Sequence, residues 1–395
     1  MVAVHADHLE DFPSSSVTKA IFEGAHVEMT QVKRATRAIL TRLEPGSVSR
    51  RGLLGASVAG AVAIAESHLP TFAQDTPEAS PAAGMEGMDH GADADHPLTM
   101  PMMVGDVDYE ANGFNPSDVL TDFDAGRVST MANGQILHEY EITAINKEIE
   151  IVPGLRFPAW TYNGRIPGPT IRVTEGDHVK VTFINAGNHP HSMHFHGVHP
   201  AGMDGVFDEA SGMVQPGGRF VYEFDAEPFG VHLYHCHTAP LAAPISRGLY
   251  GAFIIDPKEP WDPVDHEYVM VTHGYNVDFD TESNEFYAVN GIPFHYDLDR
   301  HPITFKVGEK IRIFLVNVLE YDAINSFHLH ANFFHYYPTG TSRTPSEFTD
   351  TIGQMQGQRG MLEFTYKHPG RYMFHAHKTE FAELGWTGVF VVEES

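Results

Sequence analysis

Cysteine is almost absent: the 395 residues hold one, Cys236. No intrachain disulfide can form, so a packed apolar core has to hold the fold. Basic residues are scarce as well. Against 52 Asp and Glu stand 25 Lys and Arg, a net charge of −27. That excess of acid argues against a nucleic-acid partner and for good solubility. Long amphipathic helices are missing, and the apolar stretch Gly55–Ala65 is too short for a comfortable membrane span.

Histidine, by contrast, is plentiful at 26 residues. Many imidazoles with almost no thiol suggest metal held by nitrogen. Gly (36) and Pro (26) favour a loop-rich β protein, and hydrophobic residues at 42% are enough for real cores. The length suits two domains plus extras. Early in the chain, Ser49-Arg50-Arg51-Gly52-Leu53-Leu54 is a twin-arginine pattern, followed by the small-residue apolar run and a cleavage region near Phe72-Ala73-Gln74. The expectation is export by the folded-protein route to the periplasm, cell surface or exterior, with no membrane attachment after cleavage. Lys33, Arg34, Arg37, Arg42, Arg50 and Arg51 against Glu44 make Met29 a candidate start. Residues 1–74 then form the leader. Residues 75–129 form a linker and lead-in, whose Met85, Met88, His90, His96, Met100, Met102 and Met103 are candidates for transient copper contact.

From about residue 130 the texture alternates with period two, as in His178-Val179-Lys180-Val181-Thr182-Phe183, between turns such as Gly176-Asp177. This predicts strands of a β-sandwich. The pattern occurs twice. His194-Phe195-His196 is matched by His328-Leu329-His330, an offset of 134 residues. His235-Cys236-His237 is matched by His375-Ala376-His377, an offset of 140. The chain therefore reads as a duplicated domain, 130–258 and 259–395, with Asp256–Pro263 as the natural connection. On a strand, His-x-His aims both imidazoles at one face. Eight imidazoles from four strands exceed what one ion needs and suit a cluster of about three ions between domains.

These motifs, with Asn163-Gly164-Arg165-Ile166-Pro167-Gly168-Pro169-Thr170 and His194-Phe195-His196-Gly197, resemble those of two-domain, laccase-like multicopper oxidases of the cupredoxin superfamily. The resemblance implies an all-β fold of two tandem cupredoxin domains, each a Greek-key sandwich. It implies type 2 copper on His194 and His328, and a type 3 copper pair on His196, His235, His237, His330, His375 and His377. The implied reaction takes electrons from a small reducing substrate and reduces dioxygen to water. Two-domain relatives form homotrimers with interfacial clusters, so a homotrimer is expected.

The type 1 site implied by the resemblance is incomplete. Cys236 supplies a thiolate, His191 a first imidazole, and Leu249 stands at the axial position as a non-coordinating residue. The second imidazole falls on Ala243 or Pro244, and no histidine lies between Thr238 and Arg247. Three outcomes stay open: no type 1 copper, copper held weakly by His191, Cys236 and water, or completion by a distant histidine. In the second domain Asn325, Ala376, Phe381 and Trp386 replace the four type 1 positions, the aromatics filling the space as core. Asp204 and, after the last histidine pair, Glu380 or Glu383 are candidate proton-relaying acids, with an ordinary turn residue as the other reading of Asp204 and solvated or turn-capping side chains as the other reading of the glutamates. His189, His199, His232 and His335 read as supporting or core histidines. Two other readings compete: a copper nitrite reductase-like enzyme, and a copper-binding protein that has lost electron entry.

Overall fold

The computed structural model describes residues 105–206, 209–279 and 282–395. The twin-arginine segment, Met29 and the Met-rich linker as far as Met103 lie outside these residues. Among the described residues the regular structure is almost entirely strand, and the longest helices, Ala242–Ser246 and Thr379–Glu383, have five residues each. No described helix is long and apolar enough to cross a membrane.

The strands form four sheets in two sandwiches. In the first sandwich, one sheet carries Arg127–Thr130, Ile136–Val152, His178–Asn185 and Arg219–Asp225, with Leu155–Tyr162 paired to the long strand. Its partner sheet runs Phe123–Asp124, Thr170–Thr174, Tyr250–Asp256, Gly230–His235, His194–Phe195. The second sandwich repeats the plan. One sheet contains His266–Tyr275, Lys310–Asn317 and Arg359–Thr365; the other runs Ile303–Lys306, Thr387–Glu393, Gly370–His375, Asn325–Leu329, Thr351–Gln354.

Burial along the strands shows which sheets lie inside. His178–Asn185 and Thr387–Glu393 alternate between buried and partly exposed positions, as sheets with one wet face must. Gly230–His235, Tyr250–Asp256 and Lys310–Asn317 are buried almost throughout. Alternate residues of these inner strands enter different cores. Tyr234, Phe253 and Ile255 pack into the first sandwich; Ile313 and Leu315 pack into the second. Their neighbours Val231, Leu233, Ala252, Ile254, Phe314 and Val316 meet in a third apolar cluster that joins the sandwiches.

The lead-in takes part in this joint. Phe114 enters the shared cluster, Leu120 enters the second core, and Phe123–Asp124 adds a parallel strand beside Thr170. Gly291 lets the lead-in approach: its φ is 101°, and a Cβ there would stand 2.1 Å from the Ile166 carbonyl oxygen and 2.8 Å from the Phe114 ring. A charge chain crosses the same joint. Arg172 pairs with Asp256 and Glu267, and Arg312 pairs with Glu267 and Glu363.

Candidate metal centre

Each sandwich presents four histidines at the end of one sheet. Antiparallel pairing sets His194 opposite His235, and His328 opposite His375. The His194 ring lies 5.1, 5.1 and 5.2 Å from those of His196, His235 and His237. The His328 ring lies 4.9, 5.3 and 5.0 Å from those of His330, His375 and His377. Two groups, His194 with His196 and His235, and His328 with His330 and His375, each bring three ring nitrogens within 4.8 Å of one another.

The backbone fixes the tautomers. Nδ1 of His194 donates to the Asp204 carbonyl at 2.8 Å, and Nδ1 of His328 lies 3.0 Å from the Asp350 carbonyl and 2.8 Å from the Thr351 hydroxyl. Nδ1 of His235 and His375 reach the carbonyls of Cys236 and Ala376 at 3.0 and 2.6 Å. With the ring proton held at Nδ1, each Nε2 offers a lone pair. The Nε2 atoms converge: those of His196 and His235 are 3.2 Å apart, and those of His330 and His375 are 2.9 Å apart. Ser192 and Ser326 play matching parts, accepting the backbone N–H of His237 and His377. Burial, reinforced by neighbouring imidazoles, lowers the pKa of His196 to about 2 and of His235 to about 4. His194, His330 and His375 are lowered for the same first cause. At neutral pH these rings are uncharged donors, and a set of neutral imidazoles with facing lone pairs fits copper ions.

Among the described residues, no ring contact or hydrogen bond joins a histidine of the first group to one of the second. A cavity of about 470 Å³ lies beside His196, His235 and His237, lined also by Leu241, Val318, Glu320 and Gln356. Asp204 sits behind His194: its Oδ1 is 3.2 Å from Nδ1, so it orients the ring from the side away from the cluster. Glu383 is exposed at the end of its helix and touches none of the eight histidines. His199 and His232 hydrogen-bond to the carbonyls of Phe195 and Pro228, as supporting residues do. The serine pair, Thr351 and Glu320 carry no motif and come together only in the fold.

Symmetry between the sandwiches locates the missing imidazole. In the second, the N–H of Ala376 donates to the Trp386 carbonyl and that of Trp386 to the Phe381 carbonyl. In the first, the N–H of Cys236 donates to the Leu249 carbonyl and that of Leu249 to the Pro244 carbonyl. Pro244 therefore occupies the seat matching Phe381. The Cys236 Sγ lies 3.7 Å from Nδ1 of His191 and accepts the Ser192 N–H at 3.4 Å, with both side chains buried. Burial lowers the His191 pKa to about 4 and raises that of the Cys236 thiol. The distant candidate His273 is engaged elsewhere, its Nε2 accepting the Gly291 N–H at 3.1 Å. One thiol and one imidazole do not make the thiolate-and-two-imidazole set of a blue copper site. In the second sandwich the vacated space is filled: Trp386 Nε1 donates to Asn325 Oδ1 at 3.1 Å, and Phe381 stacks on Tyr287 at 4.0 Å.

Residues 144–260 and 265–395 match two multicopper oxidase family models, one for each sandwich. The chain belongs to the multicopper oxidases. A solved multicopper oxidase structure is 58% identical, with a TM-score of 0.71; the match covers 73% of this chain and 100% of the other. A probable nitrite reductase-hydroxylamine oxidoreductase fusion protein of Kuenenia stuttgartiensis is 31% identical, covering 68% of this chain and 32% of its own length. A copper-containing nitrite reductase of Neisseria gonorrhoeae is 27% identical, covering 60% and 63%. The chain thus spans about a third of the first relative and just under two thirds of the second. As a multicopper oxidase it is a copper-dependent oxidoreductase with an all-β, tandem-domain fold, and its cofactor is copper.

Proposed function

We propose that this multicopper oxidase is a laccase-like enzyme that oxidises small phenolic or aromatic donors, or reduced metal ions, and reduces dioxygen to water. The observation that carries the reading is the pair of matched histidine half-sites. A mononuclear catalytic copper, as in the nitrite reductase reading, needs far fewer imidazoles than eight. Copper, when bound, supplies the stepwise redox chemistry. The protein's part is to present imidazole donors, to lock His194, His235, His328 and His375 through carbonyls at Nδ1, and to keep Asp204 against His194.

The two half-sites do not meet within the chain, and this supports a homotrimer in which the first domain of one copy faces the second domain of the next. Apolar side chains left exposed near both half-sites support it too. Val198 follows His196 and Gly197, while Ile324, Phe333, Phe348, Met355 and Met373 lie on or near strands of the second half-site. Buried between copies, they would stabilise a closed ring. Export by the twin-arginine route to the periplasm, surface or exterior belongs to the same proposal.

The seat filled by Pro244 favours a second reading, a copper-binding protein without efficient electron entry. Metal analysis, light scattering and oxygen uptake with phenolic and cuprous donors separate the two. A copper-loaded trimer that consumes oxygen supports the oxidase; a copper-loaded trimer inert to every donor leaves the binding protein.

A further inference from the structure

Arg247 is placed unlike the other arginines that lose much of their surface. Arg165, Arg172, Arg300 and Arg312 each pair with a carboxylate. Arg359 reaches two carbonyls and His232. Among the described residues the Arg247 side chain has one hydrogen-bond partner, the Pro158 carbonyl at 3.1 Å. Its guanidinium lies over the rings of Phe279 and Trp160, 4.1 and 5.0 Å from their centroids. Among the described residues no carboxylate pairs with it, in a chain with 52 acidic residues. Partial burial lowers its pKa, and Tyr321 acts in the opposite sense. A partly desolvated cation with free N–H donors gains most from an incoming anion, and a planar guanidinium matches a carboxylate at two points.

The surroundings supply the rest of a binding site. A cavity of about 610 Å³ opens beside Arg247, lined by Trp160, His189, Pro240 and Ala243, within the usual range for small-molecule sites. Lys147 and Glu148 add opposite charges to the lining. Aromatic surface is at hand: His189 lies 4.7 Å from the Trp160 ring. Trp160 also stands edge-on to His191 at 5.0 Å, and His191 faces the Cys236 thiol.

We propose that Arg247 and Trp160 form a recognition site for small aromatic carboxylates. The carboxylate pairs with the guanidinium, and the ring rests against Trp160 and His189. As the donor class of the oxidase this rests on the function proposed above; as a binding site it stands by itself. The test is calorimetric titration of the full copper-loaded protein with benzoate and with neutral benzamide, neither of which is a phenolic donor. Benzoate is expected to bind about tenfold more tightly than benzamide, the size of a charge-assisted contact. Arg247→Gln should abolish that preference, Arg247→Lys should restore part of it, and Trp160→Leu should weaken both ligands. Equal affinity of the wild-type protein for acid and amide overturns the proposal without recourse to any variant, as does an Arg247→Gln protein of unchanged preference. Benzoate binding without oxygen uptake on 4-hydroxybenzoate leaves the site standing and removes its role in feeding the oxidase. Oxygen uptake whose KM for 4-hydroxybenzoate is unmoved by Arg247→Gln does the reverse.

Discussion

Pro244 and Trp386 show what single residues do to a copper seat. Each sandwich carries the same chain of backbone hydrogen bonds, from Cys236 to Leu249 to Pro244 and from Ala376 to Trp386 to Phe381. A histidine at 244 would supply the absent imidazole. Pro244→His is expected to give the copper-loaded protein a more intense thiolate-to-copper absorption than the wild type, and an unchanged spectrum would show that 244 is the wrong seat. In the second sandwich the seat has become core. Trp386→Ala should cost about 3–5 kcal/mol by leaving a cavity and an unpaired Asn325 oxygen, read by denaturant unfolding. The buried histidines set an acid limit of their own. His191 and His235 are pushed by burial to about 4, and His273 to about 3. Their neutral forms are favoured in the fold, so the stability they contribute is complete above pH 6.5. It is lost as pH falls from there through their folded values. His178 has the opposite sign: burial opposes its charge, but bonds to Asp225 and Glu223 outweigh it and raise the pKa. Its contribution is full below pH 6.5 and fades as pH climbs through the raised value. With the lowered groups in the majority, unfolding of the copper-free protein should become easier between pH 6.5 and 4.

Between elements, the joint of the two sandwiches depends on strands buried on both faces and on a charge chain across them. Glu267, on the strand His266–Tyr275, binds Arg172 of the first sandwich and Arg312 of the second. Burial would raise its pKa, yet the two guanidinium groups hold it below the usual carboxylate range. Its contribution is therefore present above the unfolded carboxylate pKa and lost as pH falls through the folded one. Glu267→Gln leaves two arginines short of a partner and should destabilise the chain by about 2–4 kcal/mol. Thermal melts at pH 7 and pH 4 check this, since the difference between variant and wild type should shrink at the lower pH.

For the whole molecule the decisive matter is assembly. Each half-site is complete in its own sandwich, and the proposed trimer brings unlike halves together. Phe348 and Met355 are more than half exposed and flank Thr351–Gln354, the strand that pairs with Asn325–Leu329. Charged substitutions there, Phe348→Glu and Met355→Glu, should leave the circular dichroism unchanged, shift light scattering from trimer to smaller species, and lower the copper content together with it. Full copper loading in a monomer would show that the cluster does not depend on neighbouring copies.

The sequence alone determined a good deal. His-x-His on a strand has one geometric meaning, so four such motifs and the duplicated order around Cys236 and Ala376 were readable as two metal-binding β-sandwiches, and the resemblance to multicopper oxidases named copper as the metal. Alternation in His178–Asn185 gave the same answer at the level of the strand. Other features depend on contacts between residues far apart in the chain. A run such as Lys310–Asn317 is apolar throughout, and only packing shows that alternate side chains serve two different cores. Position 244 could not be told from 243 until the Leu249 N–H was seen to reach the Pro244 carbonyl. Asp204 and Glu383 looked alike as acids following histidine motifs, yet one lies against His194 and the other faces solvent. Local periodicity fixes the face on which a side chain lies; which atoms it meets there is decided by how sheets, loops and domains close around it.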